Sequence, residues 1–351
     1  WISVNVVDTP ATFSLEQAFE HVPSEDILQV KSHLTPYKLP SDVDHGWTPY
    51  AGDETDVQMR YMVQMKADTP DEIWTMTNIG FTPNPTEEEF LKPLVYGWNE
   101  LGYLPQQSFN VDQAMRSVSD ADSILGFNDL IQSRHDGFAM YAGDGNWIGS
   151  LNTMRPGQGY RMRLGLTSAE NVGQPAGTLE WPLSLGMEYL VRSDEEETTW
   201  PMEVLEWESS MLGVIRLEVP SSQPQSLIDA LGAFVDGPQG PICIGQARPM
   251  DTDQGLLYFL TAFGEANAAL FAGDVHFRWI SGLTELEFTA DETVAFEADR
   301  LHGDLESPML LHFREALDMP ETSVNEHLVA FPNPFRNELS IHWHGDEEVL
   351  E

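Results

Sequence analysis

The stretch that decides the fold runs from residue 98 to residue 164. It opens WNELGYLPQQSFNVDQAM (98–115) and closes GFAMYAGDGNWIGSLNTMRPGQGYRMRL (137–164). In the closing part, the turn signal Gly143-Asp144-Gly145 stands just before Trp147, which predicts a β-hairpin. The stretch is therefore predicted to be a small module in which a strand, a short helix and several short strands follow one another.

A diverged copy of this pattern begins at the first residue of the chain. Six anchor residues, mostly aromatic or aliphatic, recur in the same order with offsets of 96 to 100 positions: Trp1 and Trp98, Phe13 and Phe109, Ala18 and Ala114, Ile27 and Ile124, Trp47 and Trp147, Tyr61 and Tyr160. An internal repeat of this kind predicts two copies of one structural unit. We assign the copies to residues 1–67 and 94–170, and we interpret their shared aromatic residues as core anchors.

Four further segments complete the predicted organisation. Residues 68–93 are rich in proline and acidic residues and are predicted to be a connector. Residues 178–315 are predicted to form an immunoglobulin-like β-sandwich, because short strand patterns alternate there with Pro-Gly and Asp-Gly turn signals. Residues 316–327 form a polar linker, and residues 328–351 begin a second β-sandwich. The predicted fold class is thus α+β plus all-β.

Within residues 178–315, five segments have strand patterns: 212–219, 233–236, 256–263, 275–280 and 283–288. The single cysteine, Cys243, stands between two isoleucines, which indicates a small buried residue on a strand rather than a nucleophile. A single cysteine also excludes an intrachain disulfide and any metal site built from several cysteines.

The chain is strongly acidic, with 57 Asp and Glu residues against 17 Lys and Arg residues and a net charge of −40. This charge repels nucleic acid phosphates and anionic lipids, so neither is expected as a partner. No apolar run reaches the roughly 20 residues that cross a bilayer, so we expect no membrane insertion. An extracellular surface, a saline habitat and weak binding of divalent cations all fit the charge, and these three explanations stay open.

Near the end of the chain stands AFPNPFRNELSI (330–341). Its two prolines restrict the backbone to extended or turn geometry, and an alternating strand pattern follows. The segment resembles the opening of the C-terminal sorting domain of type IX secretion cargo. The resemblance implies recognition by the type IX secretion machinery, and a location outside the cell or at its surface. Because Trp1 stands inside a strand pattern, we expect the chain to be a fragment or a processed product.

Three segments of the second module resemble modules of large surface proteins of the same secretion class: Gly97–Asn99, Gly137–Leu151 and Pro156–Met162. In the third domain, four stretches resemble a β-sandwich module of those proteins: Leu231–Gly237, Gly245–Pro249, Leu257–Gly264 and Val275–Ile280. These resemblances imply a modular surface protein and no particular activity.

Two aspartate-rich turns are candidates for calcium binding: Asp53 with Asp56, and Asp251 with Asp253. Ca²⁺ takes about six to eight oxygen ligands, and neither turn has the spacing of an EF-hand loop. We therefore favour solvated loops for both turns, and we predict no other cofactor.

Three tryptophans are candidates for stacking against sugars: Trp181, Trp200 and Trp207. They lie outside the repeat, in the least patterned part of the third domain, and are therefore expected to be exposed. An exposed indole ring offers a flat apolar face with a polar edge, which suits a sugar ring.

No catalytic motif stands out in the sequence. The GxSxG, HExxH, Walker and dinucleotide-binding patterns are all missing, and no carboxylate pair has a spacing that marks a glycosidase. We therefore predict a non-catalytic fragment of a secreted or cell-surface modular protein that serves adhesion, matrix building or display. Its expected partners are extracellular polysaccharide or other surface proteins. The alternative is a carbohydrate-binding accessory region of a secreted hydrolase whose catalytic domain lies outside this sequence.

Overall fold

The computed structural model describes residues 13–14, 27–31, 39–40, 47–48, 54–55, 60–65, 87–119, 124–134, 136–165, 171–182, 199–202, 209–238, 240–265 and 273–314. Strands dominate these ranges, helices are short, and most strand pairs are antiparallel. The β-sandwich part of the predicted fold class is confirmed, whereas the α+β character predicted for the two repeat modules is not confirmed, since the described helices are few and short. The helix expected in the first module, the linker 316–327 and the segment 328–351 lie outside the described residues.

The N-terminal segment contributes six short strands: β1 (Phe13–Ser14), β2 (Ile27–Lys31), β3 (Leu39–Pro40), β4 (Trp47–Thr48), β5 (Glu54–Thr55) and β6 (Met62–Met65). They form three antiparallel pairs, which are β1 with β5, β2 with β6, and β3 with β4. Buried Ile27 and Val30 give β2 an apolar side.

The next segment begins with a 3-10 turn at Glu88–Phe90. Its other elements are β7 (Lys92–Val95), β8 (Gly97–Gly102), β9 (Phe109–Asn110), α1 (Val111–Ala114), α2 (Arg116–Ser119), β10 (Leu130–Ser133), β11 (Phe138–Gly143), β12 (Asn146–Gly149), β13 (Thr153–Met154), β14 (Gly159–Leu164) and β15 (Pro175–Leu179). Five of these strands form one sheet in the order β12-β11-β10-β14-β8, which we call the module sheet. Asn110 caps α1 by accepting a hydrogen bond from the backbone N–H of Gln113.

The hairpin predicted before Trp147 is confirmed. Strands β11 and β12 pair so that Tyr141 lies opposite Trp147 and Gly143 opposite Asn146. Asp144 and Gly145, between them, have φ values of 51° and 80°. Two successive left-handed residues match the right-handed twist of the flanking strands, and Asp followed by Gly adopts that conformation readily.

The two segments share the order of their strand pairs. The pairs β1–β5, β2–β6 and β3–β4 of the first segment correspond in order to β9–β13, β10–β14 and β11–β12 of the second. One proposed correspondence is wrong, because Ile27 lies in β2 whereas Ile124 lies ahead of β10. Register instead relates Val30, opposite Val63, to Ile131, opposite Met162.

The third region contains nine strands: β16 (Ser209–Glu218), β17 (Ala230–Gly237), β18 (Gly240–Ala247), β19 (Pro249–Thr252), β20 (Gly255–Gly264), β21 (Asp274–Ile280), β22 (Glu287–Ala295), β23 (Leu301–His302) and β24 (Met309–His312). One sheet has the order β19-β20-β16-β23, with β24 also paired to β16, and we call it the inner sheet. The outer sheet has the order β18-β17-β21-β22.

The inner and outer sheets enclose one apolar core, as expected of a β-sandwich. Met211 and Tyr258 of the inner sheet and Phe277 and Trp279 of the outer sheet all belong to this core. The two sheets approach each other closely where β18 passes β20, since a Cβ on Gly245 would clash with the carbonyl oxygen of Thr261. Glycine is therefore required at that crossing.

One predicted strand of the sandwich, residues 283–288, is misplaced. The observed strand β22 begins at Glu287, and Leu283 and Leu286 lie in the preceding turn with 59% and 50% of their surface exposed. Their apolar character suggested a strand, but the backbone folds back there, with Ser281 N–H donating to the carbonyl oxygen of Leu286. The turn conformation, supported by Glu285 at φ 57°, overrides the apolar pattern.

The module sheet packs on the side of the inner sheet that faces away from the sandwich core. Leu130, Phe138 and Met140 of the module sheet contact Leu212, Val214, Leu257 and Phe259 of the inner sheet in a cluster that we call the junction core. The rings of Phe138 and Phe259 meet edge to face at 5.6 Å. Three sheets are therefore stacked in the order module, inner and outer.

The other side of the module sheet carries its own core. Ile131, Tyr160 and Met162 point into a cluster that includes Val111 and Ala114 of α1. Cross-strand partners in a sheet share a side, and successive residues alternate between sides. Consequently Leu130 and Arg163, which are register partners, both lie toward the inner sheet.

Candidate functional site

A cleft of about 550 Å³ opens beside the junction core, where the module sheet meets the loop between β22 and β23. The residues that line it are Asn128, Arg163, Glu297, Ala298, Asp299, Arg300, Leu301, Gly303 and Asp304. Clefts between packed structural units are frequent ligand sites in proteins. This cleft is the candidate functional site, and its lining is mainly polar.

Left-handed backbone conformations recur around the cleft. Asn128 has φ 72° and Asp299 has φ 59°, two of the four non-glycine residues with positive φ in the described part of the chain, and Gly303 has φ 69°. Residues of this kind concentrate at functional sites more often than elsewhere. The strained turns are held firmly, since Asp299 N–H donates to the Ser210 carbonyl oxygen at 2.8 Å and Leu212 N–H donates to that of Arg300 at 2.8 Å.

Four charged side chains, of which only Asp299 is exposed, form a chain of ion pairs next to the cleft. The Arg60 guanidinium of the N-terminal segment donates to the carboxylate of Glu100 on β8. Arg161 on β14 lies between that carboxylate, at 3.5 Å, and Asp299 of the sandwich, at 2.5 Å. Burial lowers the pKa of Arg60, although Glu100 opposes that shift. The network thus connects three parts of the chain through two arginines and two carboxylates.

Of the two arginines on β14, Arg163 is the one that lines the cleft itself. Among the described residues its guanidinium has no hydrogen-bonding acceptor, and it lies 5.8 Å from the centre of the Trp98 ring. Arg161 covers the same ring at 4.1 Å. Partial burial lowers the pKa of Arg163, with nearby Asp299 acting in the opposite direction. Arg163 therefore holds a positive charge, incompletely solvated, at the surface of the cleft.

Asparagine and aspartate side chains connect the cleft to the fold. The amide oxygen of Asn128 accepts a buried hydrogen bond from Leu305 N–H at 3.1 Å, which ties the module to the sandwich. Asp304 accepts hydrogen bonds from the N–H groups of Glu306 and Ser307 through one carboxylate oxygen. Both side chains are fixed by these bonds and can present their other polar atoms to a ligand.

The predicted sugar-stacking tryptophans do not form a surface platform. Trp181 is only 1% exposed and meets the Tyr103 ring edge to face at 5.1 Å, so the expectation of exposure is wrong there. Apolar contacts from the module core bury it. Trp200 is half-buried and lies against Phe234, with ring centres 5.5 Å apart. Trp207 lies outside the described residues.

Of the calcium candidates, Asp53 and Asp56 lie outside the described residues. Asp251 and Asp253 are exposed in the hairpin that joins β19 to β20, where the hydroxyl of Thr252 closes the turn by donating to the Gly255 carbonyl oxygen at 2.7 Å. In the described ranges, no group of three or more His, Cys, Asp and Glu side chains is arranged to hold a metal ion. The structure thus places no further ligands beside Asp251 and Asp253.

Two predictions about individual residues are confirmed. Cys243 is 4% exposed in β18, and burial raises the pKa of its thiol to about 11. Tyr160 is a core anchor of the second module and is fully buried. Trp98 and Trp147, by contrast, are only half-buried. Trp98 is thus an anchor whose ring also supports the arginines beside the cleft.

The cleft could not be predicted from the sequence, because its residues come from distant segments. Asn128, Arg163 and Asp299 are brought together only by the packing of the module on the sandwich. One signal was visible, however. Arg161 and Arg163 alternate on β14 in a chain that has few basic residues, and both would therefore face the same side of a strand.

Comparison with known proteins finds no matching family model, no matching curated protein and no matching solved structure. Within the described residues, no helix is both long and apolar enough to span a membrane.

Proposed function

We propose that this chain is a non-catalytic region of a secreted or cell-surface modular protein that serves adhesion, matrix building or display. The observation that carries the proposal is the junction core. Leu130 and Phe138 of the module share a buried apolar surface with Val214 and Phe259 of the sandwich. A flexible linker leaves neighbouring units free to rotate, whereas a shared core fixes their orientation. Fixed orientation is what a spacer or display scaffold needs.

Polar contacts across the same junction support this reading. Gln132 on β10 donates to the hydroxyl of Ser210 on β16 at 2.7 Å, and both residues are buried. The guanidinium of Arg134 lies 4.4 Å above the ring of Phe263. Directional contacts of this kind define one docking geometry in a way that apolar contacts alone do not. The stack is therefore suited to hold its units in register.

The export route is proposed from the tail motif at residues 330–341. Its likeness to the sorting domain of type IX cargo supports the type IX secretion machinery as the proposed partner, and supports a proposed location outside the cell or at its surface. The acidic surface agrees with this location, since a net charge of −40 keeps such a protein solvated. The shared order of strand pairs in the two N-terminal segments supports the tandem modules that this class of protein would carry.

Surface shaving of intact cells of the source organism tests the proposal. A glutamate-specific protease suits the chain, which is rich in acidic residues, and released peptides are identified by mass spectrometry. We expect peptides of this chain in the supernatant of intact cells, while a cytoplasmic marker stays protected. Release of the chain only after lysis, together with the marker, would contradict the proposal.

A further inference from the structure

Two arginines, Arg163 and Arg300, line the cleft together with three carboxylates, those of Glu297, Asp299 and Asp304. Arg60, Arg161, Arg163 and Arg300 lie in or next to it, four of the 17 basic residues. Basic residues are scarce in this chain, so the ion-pair partners of these four arginines decide whether any of them is left for a ligand. In the described ranges, two carboxylates account for two of these arginines, since Glu100 and Asp299 pair with Arg60 and Arg161.

Arg163 and Arg300 remain for a ligand. They are close enough that each repels the other's charge. Among the described residues, the ion-pair contact of Arg300 is a long one, 4.0 Å to Glu297; both side chains are largely exposed, so that pair holds Arg300 weakly. Arg163 has no acceptor among the described residues. Two guanidinium groups that have no close hydrogen-bond acceptor among the described residues therefore border one cleft.

The geometry of these groups favours a carboxylate. A guanidinium presents a planar fork that donates two parallel hydrogen bonds to the two oxygens of a carboxylate. Phosphate also accepts such pairs, but its second negative charge would face the carboxylates of Glu297 and Asp304 on the rim. Distant acidic residues matter less, because salt screens charges beyond about 8 Å at physiological ionic strength.

The rest of the lining suits hydroxyl groups next to that carboxylate. The amide of Asn128 can donate and the carboxylate of Asp304 can accept, which are the two roles that a hydroxyl needs from its neighbours. The volume of about 550 Å³ falls within the usual range of small-molecule sites. A carboxylate beside several hydroxyls is the chemistry of a sugar acid.

We propose that the cleft between the module sheet and the β22–β23 loop binds a carboxylated sugar, with Arg163 and Arg300 on the carboxylate. Asn128 and Asp304 then contact the hydroxyls of the same ring. This inference goes beyond the proposed function and does not depend on it, since it uses the cleft alone. The two are tested separately, one by location and the other by binding.

Calorimetric titration of the full chain with digalacturonate tests the binding. We expect saturable heat at physiological salt, and no heat with a neutral disaccharide, which has the hydroxyls but lacks the carboxylate. No binding of digalacturonate at millimolar concentration would overturn the proposal. Equal binding of the neutral sugar would overturn the role of the carboxylate, and equal binding of free glutamate would overturn the assignment to a sugar.

Variants then locate the site. Arg163→Gln and Arg300→Gln should each weaken binding about tenfold or more, the usual effect of losing a charged hydrogen-bonding partner. Arg216→Gln is the matched control, because Arg216 donates to Gln254 at 3.1 Å, away from the cleft, and should leave affinity unchanged. Arg163→Lys keeps the charge but loses the fork, and should weaken binding while the melting temperature stays near that of the wild type. Undiminished binding in folded Arg163→Gln or Arg163→Lys would overturn the assignment.

Discussion

Strands β20 and β22 belong to the same β-sandwich but have different surroundings. Every residue of β20 from Leu257 to Phe263 is buried, because one side faces the sandwich core and the other the module sheet. Residues of β22 alternate between half-buried and exposed, because only one side is covered. A strand inside a stack is apolar throughout, whereas an outermost strand alternates. The comparison shows that the sequence of β20 suits a sheet that is buried on both sides.

The difference between the two strands indicates that the module and the sandwich are not independent domains. If the inner sheet were the surface of an independent domain, Val214 and Phe259 would be exposed apolar residues. Because the module sheet covers these residues, contacts with the module contribute to the free energy of unfolding of the sandwich. The two regions should therefore unfold together.

The largest expected effect is the loss of stability when a phenylalanine of β20 is truncated, compared with a phenylalanine of β22. Phe259→Ala removes a ring buried between two sheets and should lower the free energy of unfolding by about 3–5 kcal/mol. Phe288→Ala on β22 is the matched control, since Phe288 is half-buried and should cost less than half as much. Urea unfolding of both variants measures the difference. Equal losses would show that the second side of β20 contributes nothing.

Ser210→Ala sharpens the comparison by removing one polar contact of the junction. The amide of Gln132 then loses its buried acceptor, and an unsatisfied buried donor costs about 1–3 kcal/mol. Ser307→Ala, at an exposed position, is the control and should change little. Adding Gln132→Leu to Ser210→Ala should recover much of the loss. A double variant no more stable than the single one would mean that the hydrogen bond is not the cause.

Chemical labelling of Cys243 tests how firmly β18, the edge strand of the outer sheet, is packed. Its thiol should react slowly with a disulfide reagent in the folded chain, since it is buried and its pKa is raised to about 11. Reaction should become fast in denaturant. Cys243→Ala should cost only about 1 kcal/mol, because the side chain is small. Rapid labelling in the folded chain would show that β18 opens away from β20.

The smallest expected effect is a pH dependence at the opposite edge of the sandwich. The ring nitrogen Nδ1 of His312 on β24 forms a hydrogen bond of 2.5 Å with the carboxylate of Glu292 in the outer sheet. Its other ring nitrogen, Nε2, lies 3.2 Å from the carboxylate of Glu218 in the inner sheet. The hydrogen bond to Glu292, with the charges of Glu218 and Asp291, raises the pKa of His312. Its contribution to stability is complete below the ordinary histidine pKa of about 6.5 and is lost as pH rises through the raised value.

Urea unfolding at several pH values between about 5.5 and 8.5 measures this contribution. The wild type should lose stability toward high pH relative to His312→Gln, which cannot carry the charge. Parallel pH profiles for the two proteins would contradict the link between the sheets through His312.

Much of the fold could be predicted from local patterns. The continuous apolar run of β20 and the Asp144-Gly145 turn are short-range signals, and both predicted the right structure. Strand β18 was predicted only around Cys243, because Gly240, Pro241 and Gly245 look like turn residues, although Gly245 is needed for a close crossing. In such a strand, tertiary packing decides against local propensity.

The candidate site was beyond local patterns for a different reason. Glu100, Arg161 and Asp299 come from three distant segments, and their pairing depends on how the module docks. The alternation of Arg161 and Arg163 shows only that the two share one side of a strand. Which surface that side faces depends on how the module sheet packs against the inner sheet.

Hydrogen exchange at increasing urea tests most directly whether the module and the sandwich form one cooperative unit. Peptides from β10 and β11 are compared with peptides from β16 and β20, in the wild type and in Phe259→Ala. We predict that all four strands lose protection at the same urea concentration, and that Phe259→Ala lowers this concentration for all of them alike. Loss of protection in β16 and β20 alone, with β10 and β11 unchanged, would contradict the shared core.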